Sequence, residues 1–268
     1  MTQTQTTAPV ASSPMTICAG EPIWVELTTP TPQQARDFYA ALFGWTYQIS
    51  EEFGGYATAH SGGNKAAGIS PPPPAGMDAS SQWLIYFDSE DIVADAQHVK
   101  ALGGTAFEGP VRIGTQGQAH HVTDPSGAMF GLWQDDQHGG FLGNDGPGRL
   151  VWAEVNTRDS ASAVDFYSQL LNADAQQLPG ADYHQLLHGE TGFAGVSGNA
   201  QNWEAVNAGG WMVYFFTEDV DRTAQMAVQN GGKVLVAPFD MPYGRMAVLT
   251  DPAGAVFTVM NPQPAGAY

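Results

Sequence analysis

Around residue 24 the chain alternates large and polar side chains, Trp24-Val25-Glu26-Leu27-Thr28. A period of two predicts a strand. Pro30 and Pro32 break it, and Pro32 suits the first turn of a helix. Ala35, Phe38, Tyr39 and Leu42 then recur at helical spacing until Gly44. Trp45–Ile49 and Tyr56–His60 read as strands joined by an acidic, Gly-containing turn. Residues 69–80, with four prolines at 71–74, read as a loop. Trp83–Phe87 is an apolar strand. Ile92, Val93, Ala96, Val99 and Leu102 form a helix stopped by Gly103-Gly104. Gln118–Thr123 and Met129–Gln134 form a hairpin across Asp124-Pro125-Ser126-Gly127.

The pattern then repeats. Trp24-Val25-Glu26-Leu27 returns as Trp152-Ala153-Glu154-Val155, and Phe38-Tyr39 as Phe166-Tyr167, both 128 positions later. Trp83-Leu84-Ile85-Tyr86-Phe87 returns as Trp211-Met212-Val213-Tyr214-Phe215, and Asp124-Pro125-Ser126-Gly127 as Asp251-Pro252-Ala253-Gly254. Solenoid units run about 20–50 residues, so this is a duplicated small domain. Each copy, of roughly 115–120 residues, is large enough to bury a core. The expected organisation is a tail over 1–20, one domain over 21–136, a Gly-rich linker over 137–148 and a second domain over 149–268. Antiparallel strands beside crossover helices predict an α+β architecture with curved sheets.

Charge narrows the partners. The net charge is −18, with only 9 Lys and Arg against 27 Asp and Glu. Such a field repels phosphate backbones and anionic lipid, so neither nucleic acid nor membrane is an expected partner. No apolar run approaches the roughly 18 residues of a membrane span. Cys18 is the single cysteine, so neither an internal disulfide nor a Cys-based zinc site is expected. Residues 1–20 lack the basic and apolar regions of a secretory leader, so a cytoplasmic location is expected.

Trp-x-Glu-Leu, Ala-x-x-Phe-Tyr, Leu-Phe-Gly-Trp, Leu-Gly-Gly and Asp-Pro-x-Gly-x-x-Phe together resemble the vicinal oxygen chelate superfamily. That group includes glyoxalase I, extradiol dioxygenases and the fosfomycin- and bleomycin-resistance proteins. More narrowly, the chain resembles the tandem glyoxalase-like "hydroxylases" of actinobacteria. The resemblance spans about residues 21–136 and 149–262. It implies tandem βαβββ modules, with two pseudo-symmetric halves each curling eight strands into a cup. It also implies where a metal would sit, on three strand positions per half. These fall on Trp24, Trp83 or its neighbour, and Gly131 in the first half, and on Trp152, Trp211 or its neighbour, and Thr258 in the second. None of these residues suits a divalent cation well. The resemblance therefore implies a cup without its chelate, and no cofactor is expected.

Residues i and i+2 of a strand share a face. If Trp24 faces the cup, so does Glu26, and likewise Trp152 and Glu154. A carboxylate beside indole in a partly closed cup is a candidate acid or base. The competing reading is a structural ion pair with Arg112 or Arg245. The copies differ most where Arg245-Met246-Ala247-Val248 replaces Gln118-Ala119-His120-His121. Only one of the two adjacent histidines can face the cup, and the register of Arg245 and Ala247 favours His120 on the face of Gln118. Glu26, His120, His121 and Glu154 are thus the candidate catalytic residues. Trp24, Tyr56, His60, Trp83, Gln118, Trp133, Trp152, Tyr183, Trp211 and Arg245 are candidate substrate contacts.

The expected function is metal-independent acid–base chemistry on an aromatic or polycyclic metabolite: isomerisation, cyclisation, elimination or hydration. Natural-product biosynthesis is a fitting setting. Two alternatives remain open. One is a non-catalytic protein that sequesters a drug or metabolite. The other is a metal-dependent glyoxalase or oxygenase with displaced ligands, for which His60, His120 and Glu26 supply a two-His-one-carboxylate composition. Both a monomer and a homodimer are compatible with paired modules in one chain.

Overall fold

The computed structural model describes residues 18–71, 80–141, 146–198 and 209–262. Most of the expected tail and the proline run therefore lie outside the described residues. Among those described, no helix is long and apolar enough to cross a membrane.

The first half runs β1 (Pro22–Thr28), α1 (Pro32–Phe43), β2 (Thr46–Ser50), β3 (Tyr56–Ser61), β4 (Asn64–Ile69), β5 (Gln82–Asp88) and α2 (Ile92–Ala101). It continues through β6 (Thr105–Ala106), β7 (Val111–Ile113), β8 (Gly117–Thr123) and β9 (Met129–Asp135). The second half comprises β10 (Leu150–Asn156), α3 (Ser160–Leu170), β11 (Asp174–Gln177), β12 (Tyr183–His188) and β13 (Thr191–Ser197). After these come β14 (Gly210–Phe216), α4 (Val220–Gln229), β15 (Lys233–Met241), β16 (Gly244–Thr250) and β17 (Val256–Pro262).

Each half forms one mixed sheet. The first is ordered β2-β3-β4-β1-β5-β9-β8-β6, with β7 beside β8; the second follows as β11-β12-β13-β10-β14-β17-β16-β15. In the first, β1 runs parallel to β4 and antiparallel to β5, while β5 and β9 are parallel. Two βαβββ modules thus meet at β1 and β5, matching the expected fold.

One apolar cluster extends through both halves. Leu27, Trp83, Ile85 and Phe87 pack on the helix side of the first sheet, with Val213, Phe215 and Phe257 from the second. Trp83 meets Phe215 and Phe87 meets Trp211, each at 5.0 Å between ring centres. The repeated aromatics also form a reciprocal latch. Trp211 Nε1 donates to Tyr167 Oη at 3.0 Å, and Tyr167 donates to Asp124 Oδ2 at 3.1 Å. In the mirror arrangement Trp83 Nε1 donates to Tyr39 Oη at 3.0 Å, and Tyr39 is hydrogen-bonded to Asp251. Each Asp also caps its own Asp-Pro-x-Gly turn, through the amides of Ala128 and Ala255. The helix tyrosine of each half is therefore held by the turn of the other half.

Candidate active site on the concave faces

Register fixes which side chains share the first cup. Trp24 lies opposite Tyr86, Tyr86 opposite Gly131, and Gly131 opposite His121. Glu26 stands two residues beyond Trp24 and so on the same face. Two glycines shape this surface. A Cβ on Gly68 would lie 1.9 Å from Tyr56 Oη, and one on Gly131 would lie 2.1 Å from the Tyr86 ring. Their bare backbones let both tyrosines lie flat across the strands.

The resulting polar network is short. Trp24 Nε1 donates to Tyr56 Oη at 2.9 Å, and Tyr56 is hydrogen-bonded in turn to Glu26. Tyr86 Oη and His121 Nε2 are 2.9 Å apart. Glu26 is partly buried, and desolvation raises its pKa to about 7, against a smaller lowering by the Tyr56 bond. Burial pushes the Tyr86 hydroxyl well above its ordinary value, with the Glu26 charge adding to the effect. Burial, and then the neighbouring His120, lower the His121 imidazole. Both groups are thereby held neutral, and the imidazole tautomer sets which of the two donates.

Arg112 is bound to Asp136. Arg245 grips Asp221 through Nε at 2.7 Å and Nη2 at 2.9 Å, and Asp240 through Nη1 at 3.0 Å. Neither arginine neutralises a cup glutamate, so the ion-pair reading of Glu26 and Glu154 fails.

Several expected site residues lie elsewhere. Trp83 pairs with Leu27 and Trp211 with Val155, each one residue out of step with the glutamate. Both indoles therefore face the shared core, and Leu84 with Tyr86, or Met212 with Tyr214, take the cup positions. His120 also faces away, and its Nε2 meets the Phe107 carbonyl at 2.9 Å. Gln118 shares that outward face by alternation, as does Arg245 in the second half. His121, not His120, is the cup histidine. His60 shares the face of Tyr56 on β3. With His120 turned outward, His60, His120 and Glu26 do not form a metal triad. Trp133 lines the cup, its Nε1 donating to Asp135 Oδ1 at 2.8 Å.

One contribution lies in what composition marks as linker. His138 and Phe141 fold back over the first cup. The His138 ring is 4.5 Å from Trp24 and 5.3 Å from Trp133, and Phe141 is 5.5 Å from Trp24. Lys65 Nζ donates to the His138 carbonyl, and the Gly139 amide donates to Asp135 at 3.1 Å. Burial, and then Lys65, depress the His138 pKa to about 4. A lone Phe among glycines was the available sequence signal.

The second cup repeats the frame with a different network. Trp152 Nε1 donates to Tyr183 Oη at 2.8 Å. The Glu154 pKa is also raised by desolvation, yet the side chain is hydrogen-bonded to Tyr214, Tyr183 and Asn156. Thr258 stands where Gly131 stands in the first half, and Val248 where His121 stands. Tyr214 therefore turns to the glutamate instead of reaching a histidine. Met212, Val248 and Met260 make the remaining floor apolar.

The superfamily's chelate positions do not fit a metal. Trp24 is committed to Tyr56, Trp83 faces the core, and Gly131 has no side chain.

A family model of the Glyoxalase/Bleomycin resistance protein/Dioxygenase superfamily matches residues 22–132 and again 149–259. The chain belongs to that superfamily. Among curated relatives of this tandem glyoxalase-superfamily protein is the glyoxylase-like CFP32 of Mycobacterium tuberculosis. It is 35% identical over 253 residues, covering 91% of this chain and 96% of the relative. The anthracycline biosynthesis protein DnrV of Streptomyces peucetius is 32% identical over 264 residues, covering 90% and 93%. The fold is shared with the Mn(II)-bound glyoxalase of Novosphingobium aromaticivorans, at TM-score 0.64 and 14% identity over 90% of this chain and 82% of that one. It is also shared with the 2,3-dioxygenase LapB of Pseudomonas sp. KL28, at TM-score 0.61 and 14% identity over 92% and 94%.

Proposed function

We propose that this protein is a metal-independent acid–base enzyme acting on a flat aromatic or polycyclic metabolite, with its working site in the first cup. The observation that carries this reading is Glu26: a partly buried, desolvated carboxylate without a cationic partner, poised near neutral pH beside the Tyr86–His121 pair. As base, Glu26 takes a proton from a carbon next to a substrate carbonyl. The electron pair moves to the carbonyl oxygen, and the Tyr86 hydroxyl turns from His121 to stabilise that enolate. Return of the proton at another position, or loss of a β-substituent, gives isomerisation or elimination. Trp24, Tyr56 and Trp133 hold the substrate rings, and His121 positions Tyr86.

His138 and Phe141 already occupy the aromatic wall with rings. The substrate displaces them, or slides beneath them, and they then exclude water. The name of DnrV supports an anthracycline-like class of substrate. The second cup, whose glutamate is already hydrogen-bonded on several sides, is a supporting or binding module.

A panel of tetracyclic aromatic ketones, incubated with full-length protein in the presence of a chelator, tests the assignment. Glu26→Gln is expected to lower conversion by about 10²–10⁴-fold. Conversion unchanged in Glu26→Gln overturns it. The same wall of rings also suits sequestration without chemistry. Tight binding of a panel member, unaltered on release, would favour that second reading.

A further inference from the structure

The start of the first half meets the second half at an unusual set of donors. Cys18 Sγ, a Glu21 carboxylate oxygen and a His188 ring nitrogen lie within 4.8 Å of one another. It is the one group of three or more His, Cys, Asp or Glu this close among the described residues. The surrounding backbone is fixed. The Glu21 amide donates to the Cys18 carbonyl at 3.0 Å, and the Gly20 amide donates to Asp88 O at 3.0 Å. Gly20 has φ +86°, and a Cβ there would lie 2.4 Å from the Leu171 carbonyl oxygen. The turn is thus pressed against the corner that carries the other contact of His188.

That contact sets the imidazole. His188 Nε2 lies 3.2 Å from Leu171 O, and a carbonyl can only accept. Nε2 therefore carries a proton. The neutral ring then aims the bare lone pair of Nδ1 at Glu21 Oε1, 3.1 Å away. Two lone pairs face each other at this distance only with a cation between them, either a proton or a metal ion. A backbone carbonyl on the far nitrogen is the usual orienting partner of a metal-bound histidine. The thiol of Cys18 adds a third, soft donor on the exposed side. Bond lengths of about 2.0–2.3 Å bring zinc ligands to roughly 3.5 Å from one another. Cys18, exposed at the turn, has the freedom to close the remaining distance.

We propose that Cys18, Glu21 and His188 form a zinc-class metal site, with a fourth position open to solvent, that staples the β1 entry to the end of β12. The ligand set of one thiolate, one imidazole and one carboxylate favours Zn²⁺ over the hard cations Mg²⁺ and Ca²⁺. The site is independent of both cups.

Zinc binding to the purified full-length chain, after chelator stripping, tests this by competition with a chromophoric chelator. One equivalent is expected to bind. Cys18→Ser and His188→Ala should each weaken binding at least tenfold, while Glu26→Gln should leave it unchanged. Co²⁺ in place of zinc should show a thiolate-to-metal charge-transfer band that Cys18→Ser abolishes. This spectrum reads the wild-type protein directly, so it holds even if His188→Ala misfolds. No zinc uptake, equal uptake by the Cys18→Ser, His188→Ala double variant, or a cobalt spectrum without thiolate character would each overturn the site. A proton alone would then bridge His188 and Glu21.

Discussion

Glu26 carries a desolvation cost that pH can read. Its folded pKa of about 7 stands above the ordinary 4.5. Folding therefore favours the protonated acid. The full contribution is present below pH 4.5 and is lost as pH rises through about 7. Glu26→Gln has no such cost, so its stability relative to wild type should rise by about 3 kcal/mol between pH 4.5 and pH 8. Urea titrations at both pH values measure this; a pH-independent difference would show that the carboxylate is not desolvated. His121 and His120 separate just as cleanly. His121→Ala should lower turnover through loss of Tyr86 positioning. His120→Ala should spare turnover and reduce stability by about 1–3 kcal/mol, because it breaks the bond to Phe107 O. The sequence marked both histidines as distinctive. The inward one was not legible, since a shift of one residue exchanges the two faces of a strand. Taking Arg245 as inward-facing carried that error across from the second half, where Arg245 reaches outward to Asp221 and Asp240.

At the scale of elements, most strands and all four of the described α-helices followed from periodicity and breakers. β4 did not, because Asn64-Lys65-Ala66-Ala67-Gly68-Ile69 has little β-branched character and no clean alternation. Yet β4 is the strand that brings Gly68 under Tyr56, and so permits the Trp24–Tyr56–Glu26 network. The tryptophans of β5 and β14 were visible as repeated features but not as latches. Their role depends on tyrosines 44 residues away and on the turn of the opposite half. Tyr39→Phe or Tyr167→Phe leaves a buried indole N–H without its acceptor and should cost about 1–3 kcal/mol, measured by chemical denaturation. The segment carrying His138 and Phe141 behaves as part of the first cup. Phe141→Ala uncovers Trp24 and should tighten or speed association of a planar ligand, followed by quenching of tryptophan fluorescence. Unchanged association would show that the ring does not compete for the wall.

For the molecule as a whole, duplication supplies one frame and substitution makes the halves unequal. Both halves lack chelating side chains at the superfamily's positions, and both keep a hydrogen-bonded Trp–Tyr–Glu set. Only the first adds Gly131 and His121, which draw Tyr86 away from its glutamate and leave Glu26 with a single tyrosine bond. The second replaces them with Thr258 and Val248, and its glutamate is hydrogen-bonded on several sides. The halves are not separate globules, because one core and a crossed pair of tyrosine–aspartate bonds join them. The sequence displayed the duplication and the missing chelate directly. The division of labour depends on register and on the close approach of the Tyr86 ring to Gly131, which become visible only in three dimensions. Infrared difference spectroscopy of wild type against Glu26→Gln across pH 4 to 9 tests the central chemistry without a substrate. A protonated-carboxyl C=O band that is assigned to Glu26 and disappears with a midpoint near pH 7 is the expected result. A Glu26 carboxylate already ionised near pH 4.5 would contradict its role as a base poised at neutral pH.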